Sequence, residues 1–428
     1  MINKNKMLNK VWVVSIDMGY GHQRTAHALK NIAKNGEIVS ANSYKGIPQK
    51  DQRLWKRSRS FYEFISRFKN IPIFGDFIFS LYDSFQAIVN FYPKRDLSRA
   101  GFVEKSIYSL LKHNWGKHLI MKLGEDAIPL VTTFFNVAFM AEYFNYPCNV
   151  FCVVCDTDIA RGWAPLSPQN TRIKYFAPTI RVVERLKLYG IKSENIYLTG
   201  YPLPEENIGV KERIIKEDLR NRLVNLDPKK AYFKKYDSLI NHKLGELPLK
   251  SNHPLTIMYS IGGAGAQVPM AIKIAKALKE KLNKGEVRMI FSAGIRKEAK
   301  QLFEKNVKGI SNIEIVYEKD FPTYYDSFNK ALRQTDILWT KPSELSFYAM
   351  LAIPIIIAPE IGSQEKFNKR WIKNSGFGIS EQNPEYINDW LFDWINGGFF
   401  AEMAMNGFIK GERDGIKNMK KNITRCSG

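Results

Sequence analysis

Residues 337–368 read ILWTKPSELSFYAMLAIPIIIAPEIGSQEKFN, and the order of features in them decides the fold class. Ile337, Leu338 and Trp339 make a short apolar strand, and Pro342-Ser343 marks a tight turn. Proline before serine suits a helix start, with Ser343 as N-cap and Leu345, Tyr348, Ala349 and Leu351 on a buried face. The run 353–358 is too short for a helix of its own and too apolar for an edge, so it fits a parallel strand covered on both sides. Gly362 and Ser363 then open a polar loop carrying Gln364, Glu365 and Asn368. Strand, helix start and loop meet at the carboxyl end of a parallel sheet, where open α/β sheets bind ligands. A helix N-terminus there favours a phosphate.

Two other stretches have the same build. An apolar strand over 11–16 is followed by Asp17-Met18-Gly19-Tyr20-Gly21-His22 and a helical pattern over 23–33. Gly19 and Gly21 permit a tight turn and close approach of the backbone to a ligand, and His22 falls at the helix start. A lone histidine is otherwise an ordinary surface or core residue. Further along, a strand over 255–261 runs into Gly262-Gly263-Ala264-Gly265-Ala266 and a helix over 268–282. A glycine loop between strand and helix is the general phosphate cradle. More strands are expected at 129–141 (with a helix), 149–155, 174–178, 196–202, 287–292 and 313–317, and helices at 180–189, 326–334, 370–374 and 386–395. Cys152 and Cys155 form a CxxC inside a strand-like run, where positions three apart face opposite sides. Two further zinc ligands are not evident, so the pair reads as buried strand and no metal site is assigned. Asp156-Thr157-Asp158 has the form of the DxD of metal-dependent glycosyltransferases, which belongs to a different fold.

The order of these motifs resembles glycosyltransferases with two Rossmann-like domains, the GT-B fold. It is most similar to the monogalactosyldiacylglycerol synthase and processive diacylglycerol glucosyltransferase group (family 28-like), and more distantly to the lipid II-forming N-acetylglucosaminyltransferase. Thr340, Lys341, Pro342, Leu345, Gly362, Gln364, Glu365 and Asn368 match that donor-site signature. Its paired glycines are Ser343 and Glu344 here, and its ribose-holding glutamate falls on Ala349. Glu344 does not substitute, because five helical residues rotate by about 140°. The resemblance implies a diphosphate cradle at Gly262, Gly263 and Gly265, and backbone contact with the base near Phe321. It implies donor contacts from Lys341, Ser343, Glu344, Gly362, Gln364, Glu365 and Asn368. It also implies that His22 acts as general base toward an acceptor hydroxyl, a role that suits a group titrating near neutrality. Gly19 and Gly21 lie on the acceptor side. Asp158 and Trp163 match a further motif and either line the cleft between the domains or serve as a capping aspartate and a packing tryptophan.

The composition is ordinary for a globular chain: 45% hydrophobic and 25% charged over 428 residues. No stretch reaches the roughly 18 uncharged apolar residues of a spanning helix, no signal peptide is expected, and four cysteines fit a reducing cytoplasmic setting. The net charge is +22, from 64 Lys+Arg against 42 Asp+Glu. Such an excess suits nucleic acid or an anionic membrane, and no nucleic-acid-binding motif is present. Residues 53–69 (RLWKRSRSFYEFISRFK) form a basic amphipathic helix candidate. Trp55, Lys56, Arg57, Arg59 and Phe61 are its expected membrane contacts; the alternative is a helix facing the core.

The expected architecture is α/β, with two Rossmann-like domains facing a central cleft. Residues 1–203 form an acceptor-side domain, 204–252 a charged linker or insertion, and 253–407 a nucleotide-sugar domain, with a tail over 408–428 packing back on the first. The expected activity is hexosyl transfer from a UDP-sugar, used as a co-substrate without a cofactor, to a lipid or lipid-linked acceptor. The enzyme would lie peripherally on the inner face of the plasma membrane. A sugar-nucleotide 2-epimerase of the same fold, and a non-catalytic sugar-nucleotide or lipid-binding descendant, are the alternatives.

Overall fold

The computed structural model describes residues 10–57, 88–262, 267–360 and 362–426. By internal packing the chain divides into two units. One comprises Met1–Pro202, Gly362–Phe367 and Asp414–Gly428, the other Leu203–Ile361 and Asn368–Arg413.

The first unit holds a six-stranded sheet of β1 (Val11–Ser15), β2 (Ala33–Ser40), β3 (Leu130–Thr132), β4 (Val150–Val153), β5 (Lys174–Ala177) and β6 (Ile196–Leu198), ordered β2-β1-β3-β4-β5-β6. All pairings are parallel. The chain moves outward from β1 to β2, then returns to β3 on the other side, so the strand order reverses between β1 and β3. Successive residues face opposite layers. Val14, Leu130, Val150 and Cys152 join one core with Leu111, Leu119 and Phe139. Val13, Val131, Phe151 and Val153 join the other with Ala26. The second layer is closed by the helix Gly415–Cys426, which buries Ile416, Met419 and Ile423 on one stripe. Strands covered on both faces explain why these runs are apolar without alternation.

The second unit repeats the plan with β7 (Leu255–Ser260), β8 (Val287–Gly294), β9 (Ile313–Tyr317), β10 (Ile337–Thr340), β11 (Ile355–Ile357) and β12 (Gly378–Ser380), ordered β12-β11-β10-β7-β8-β9. All pairings are again parallel. From β7 outward this is the strand order of the Rossmann fold, with its reversal between β7 and β10.

Several local expectations change. The helix after Gly21 ends at Ala28, and Ala33 opens the edge strand β2 instead. Residues 204–252, read as a linker with a helical stretch over 205–226, pack into the second unit, where the helix Arg213–Leu226 is joined by a second, Phe233–Leu244, with Leu219, Leu223 and Ile240 buried. The segment after Ser343 is a 3-10 turn, Glu344–Leu351, buried at every position. Its last carbonyls are taken by guanidinium groups rather than by a continuing α-helix. Arg222 Nη1 donates to the oxygens of Leu351 (3.3 Å) and Ala352 (2.9 Å), and Arg413 Nη1 to that of Met350 (3.2 Å). The polar loop expected at 362–368 is instead the start of the helix Ser363–Ser375.

Among the described residues no helix is long and apolar enough to cross a membrane.

Candidate functional site

In the first unit the site grows from the turn after β1. Gly19 precedes the helix Tyr20–Ala28 at φ +95°, a conformation that an L side chain rarely adopts. Gly21 lies in the first helical turn, where its carbonyl accepts the Thr25 hydroxyl at 2.8 Å. This turn aims His22 at the end of β3, across the point where the strand order reverses. His22 Nδ1 lies 2.7 Å from the carbonyl oxygen of Thr133. A carbonyl only accepts, so Nδ1 carries the proton, and the neutral ring has its lone pair on Nε2. Thr133 is itself fixed. Its hydroxyl donates to the His22 carbonyl (2.9 Å) and accepts from the Ser15 hydroxyl (3.2 Å). Cys155 Sγ sits 3.7 Å from Nδ1 and 3.6 Å from the same carbonyl. Phe134 meets the imidazole edge-on at 5.0 Å, and Trp163 lies 6.3 Å away. Thr133 and Phe134 had no motif to announce them, and Cys155 stood in a CxxC that reads only as buried strand; the topology brings all three to His22.

Asp158 and Trp163 are both buried, Asp158 in an ion pair rather than as a helix cap and Trp163 packed beside the His22 cluster. Asp158 is 1% exposed and accepts Arg185 Nε at 2.8 Å and Nη2 at 2.9 Å, while its Oδ1 also accepts the Ile159 amide. Burial works against the Arg185 charge, but the bonds to Asp158 and its charge outweigh it and hold the guanidinium pKa raised. Trp163 is 2% exposed, packs on Phe135 at 5.2 Å and accepts the Tyr175 hydroxyl on its carbonyl at 2.9 Å.

Trp55 is corrected as well. It is 3% exposed, with its ring 4.7 Å from Trp115 and 6.2 Å from Phe134. The apolar stripe at this point faces the core, so the tryptophan has no surface to offer a membrane. Lys56 and Arg57 are exposed. Arg59 and Phe61 lie outside the described residues.

In the second unit, β7 and β10 pair with Ser260 beside Thr340, which sets the following residues Gly262 and Lys341 side by side. A Cβ on Gly262 would lie 2.5 Å from Lys341 Cε and 3.5 Å from its Nζ, so the lysine lies across bare backbone. This places a cation at the carboxyl end of the sheet where the strand order reverses, the place that open α/β sheets use for ligands. Gly263 and Gly265 lie outside the described residues. Ser343 occupies the N-cap position of the 3-10 turn, but its side chain makes no capping bond. Glu344 (7% exposed) and Ala349 (1%) are buried in that turn. Phe321 begins the helix Phe321–Leu332 just beyond β9, stacked on Tyr325 at 5.9 Å. The Asp320 carboxylate caps this helix on the Thr323 amide at 2.9 Å. Gln364 and Glu365, half-buried, follow Gly362 on the first turn of the helix Ser363–Ser375. Asn368 is 1% exposed, and its Nδ2 donates to the Pro342 carbonyl at 3.3 Å, tying that helix to the Lys341 turn.

Among the described residues no group of three His, Cys, Asp or Glu could hold a metal ion. The four cysteines are free thiols.

No family model matches the sequence, and no curated protein matches it. Solved structures do. A complex of S. aureus MnaA with UDP superposes with a TM-score of 0.50 at 12% identity, covering 97% of this chain and 96% of that one. MurG from Acinetobacter baumannii gives 0.49 at 13% identity, with 97% and 99% covered. The UDP-GlcNAc 2-epimerase of Neisseria meningitidis bound to UDP-GlcNAc gives 0.46 at 12%, with 97% and 98% covered. The fold is the two-unit Rossmann-like arrangement of GT-B proteins.

Proposed function

We propose that the protein is a UDP-sugar-dependent glycosyltransferase acting on a lipid or lipid-linked acceptor at an anionic membrane surface. The observation that carries the reading is the His22–Thr133 bond. It orients the imidazole and leaves Nε2 as the basic nitrogen, as a general base toward an acceptor hydroxyl requires. The acceptor proton passes to Nε2 as its oxygen forms the bond to the sugar's anomeric carbon, and the bond to the nucleoside diphosphate breaks. Lys341, lying over Gly262, supplies positive charge for the departing diphosphate. Gln364 and Glu365 are assigned to hydroxyls of the donor sugar. UDP is favoured as the nucleotide by the motif resemblance and by the UDP held in the S. aureus MnaA complex. Exposed Lys56 and Arg57 and the net charge of +22 support the membrane setting.

The test is a thermal-shift titration with UDP, GDP, TDP, ADP and CMP, followed by transfer assays from UDP-sugars to lipid acceptors on anionic liposomes. UDP should raise the melting temperature selectively; a ligand at 100 times its Kd adds about 2.7 kcal/mol. Sugar should appear on the lipid. Epimerised sugar nucleotide formed without acceptor, or no shift with any nucleotide in folded protein, overturns the proposal.

A further inference from the structure

The second unit has a cavity of about 190 Å³ lined by Glu212, Lys216, Lys243, Phe408, Ile409 and Arg413. We propose that it binds a small phosphate monoester, independently of the Lys341 segment and of the function proposed above.

The argument begins with charge. Three cations and one carboxylate face this space, and the carboxylate is engaged: Arg413 Nε donates to Glu212 Oε1 at 2.8 Å. Lys216 and Lys243 have no hydrogen-bond or ion-pair partner among the described residues. The cavity therefore presents two uncompensated ammonium groups, which matches the charge of roughly −2 on a phosphate monoester at neutral pH.

The site is also built. The Arg413 side chain is only 10% exposed. Its Nη1 is anchored on the carbonyls of Met350 (3.2 Å) and Gly407 (3.4 Å), and its Cζ lies 5.0 Å from the Phe408 ring centre. Nη2 makes no hydrogen bond among the described residues and is the donor left over. A guanidinium held this firmly loses little freedom on meeting a phosphate. Glu212 is presented from backbone in the left-handed region, with φ 52° at Lys211 and 60° at Glu212. Phe408 and Ile409 give the cavity an apolar wall, so the ligand carries a small organic group beside its phosphate. Arg413 also joins the cavity to the turn that follows Lys341, through the Met350 carbonyl.

The probe is phenyl phosphate, titrated calorimetrically into the full chain at low salt. One saturable site is expected. Its affinity should fall at least about tenfold in Lys216→Ala/Lys243→Ala, a variant whose melting temperature should stay at the parent's because neither lysine has a partner to lose. Inorganic phosphate should bind more weakly than phenyl phosphate, because it leaves the Phe408 wall unfilled. Saturating UDP should leave the phenyl phosphate affinity unchanged. Absence of saturable binding overturns the proposal. So does undiminished binding in the double-lysine variant, or displacement of phenyl phosphate by UDP, either of which puts the anion elsewhere.

Discussion

The side chain of Lys341 occupies the place where a side chain on Gly262 would be, with its Cε 2.5 Å from the position of the missing Cβ. Their closeness matters because it fixes where the charge lies. Gly262→Ala should therefore displace the lysine's flexible end and leave the strand ends in place. The expected result is a loss of UDP affinity approaching that of Lys341→Met, with a melting temperature nearly unchanged. A charge-assisted bond lost from Lys341→Met corresponds to about 1.5–3 kcal/mol, or roughly ten- to a hundredfold in Kd. Parent-like UDP affinity in both variants would remove Lys341 from the site.

His22→Asn and His22→Ala should lower transfer by about 10²–10⁴-fold, the range of a general base. UDP affinity should be unchanged, because the residue is assigned to the acceptor alone. Thr133 offers His22 a main-chain carbonyl, so Thr133→Val should preserve that bond while losing the hydroxyl bond to the His22 carbonyl. Its activity should fall far less. Transfer kinetics and calorimetry on the same preparations separate the two effects.

Asp158 holds structure rather than substrate. Asp158→Asn leaves the guanidinium of Arg185 buried at 0% exposure without its counter-charge. Breaking one side of a buried pair costs about 3–5 kcal/mol, readable as a lower midpoint in urea unfolding. Trp55→Ala should likewise cost about 3–5 kcal/mol as a large core truncation. Its liposome binding, measured on folded protein, should match the parent's.

Glu381 follows β12 and accepts Trp339 Nε1 at 2.8 Å. Burial holds its carboxyl pKa above the ordinary glutamate value, against the pull of the Trp339 bond and the Lys369 charge. The folded state therefore binds this proton more tightly than the unfolded state. Stability from this group is complete below the ordinary glutamate range and declines as pH rises through it toward the raised value. Glu381→Gln keeps an acceptor for Trp339 and removes the titration. The variant should gain stability relative to the parent at neutral pH, and the gain should vanish in acid. Melting curves across that range test the sign.

Most of the scaffold could be read from the chain because its signals are local. Runs such as 11–16, 255–261 and 353–358 are apolar without alternation, and only a strand covered on both faces wants that. β2 escaped because AKNGEIVS is polar and lies at an edge, exposed along much of its length. The 3-10 turn escaped because its cause lies far away in sequence, in Arg222 and Arg413. The same distance separates the legible half of the site from the rest. His22 stands in a motif, but Thr133 and Cys155 reach it from 111 and 133 residues away. Trp55 and Asp158 misled for a related reason. An aromatic in a basic helix, or an acid after a strand, looks the same whether its partner is a ligand or the protein's own Trp115 or Arg185.

The helix Gly415–Cys426 closes one face of the first sheet, whose strands are all encoded before residue 199. The last piece of the first unit is therefore synthesised after the whole of the second, although N-terminal domains generally fold first as a chain leaves the ribosome. The second unit is complete once residue 413 has emerged, while Val13, Val131, Phe151 and Val153 of the first still lack the helix that covers them. The sheet beside His22 and Thr133 waits for the last-arriving part of its own core, and a chain cut after residue 413 would hold a whole second unit and a first unit open on one face.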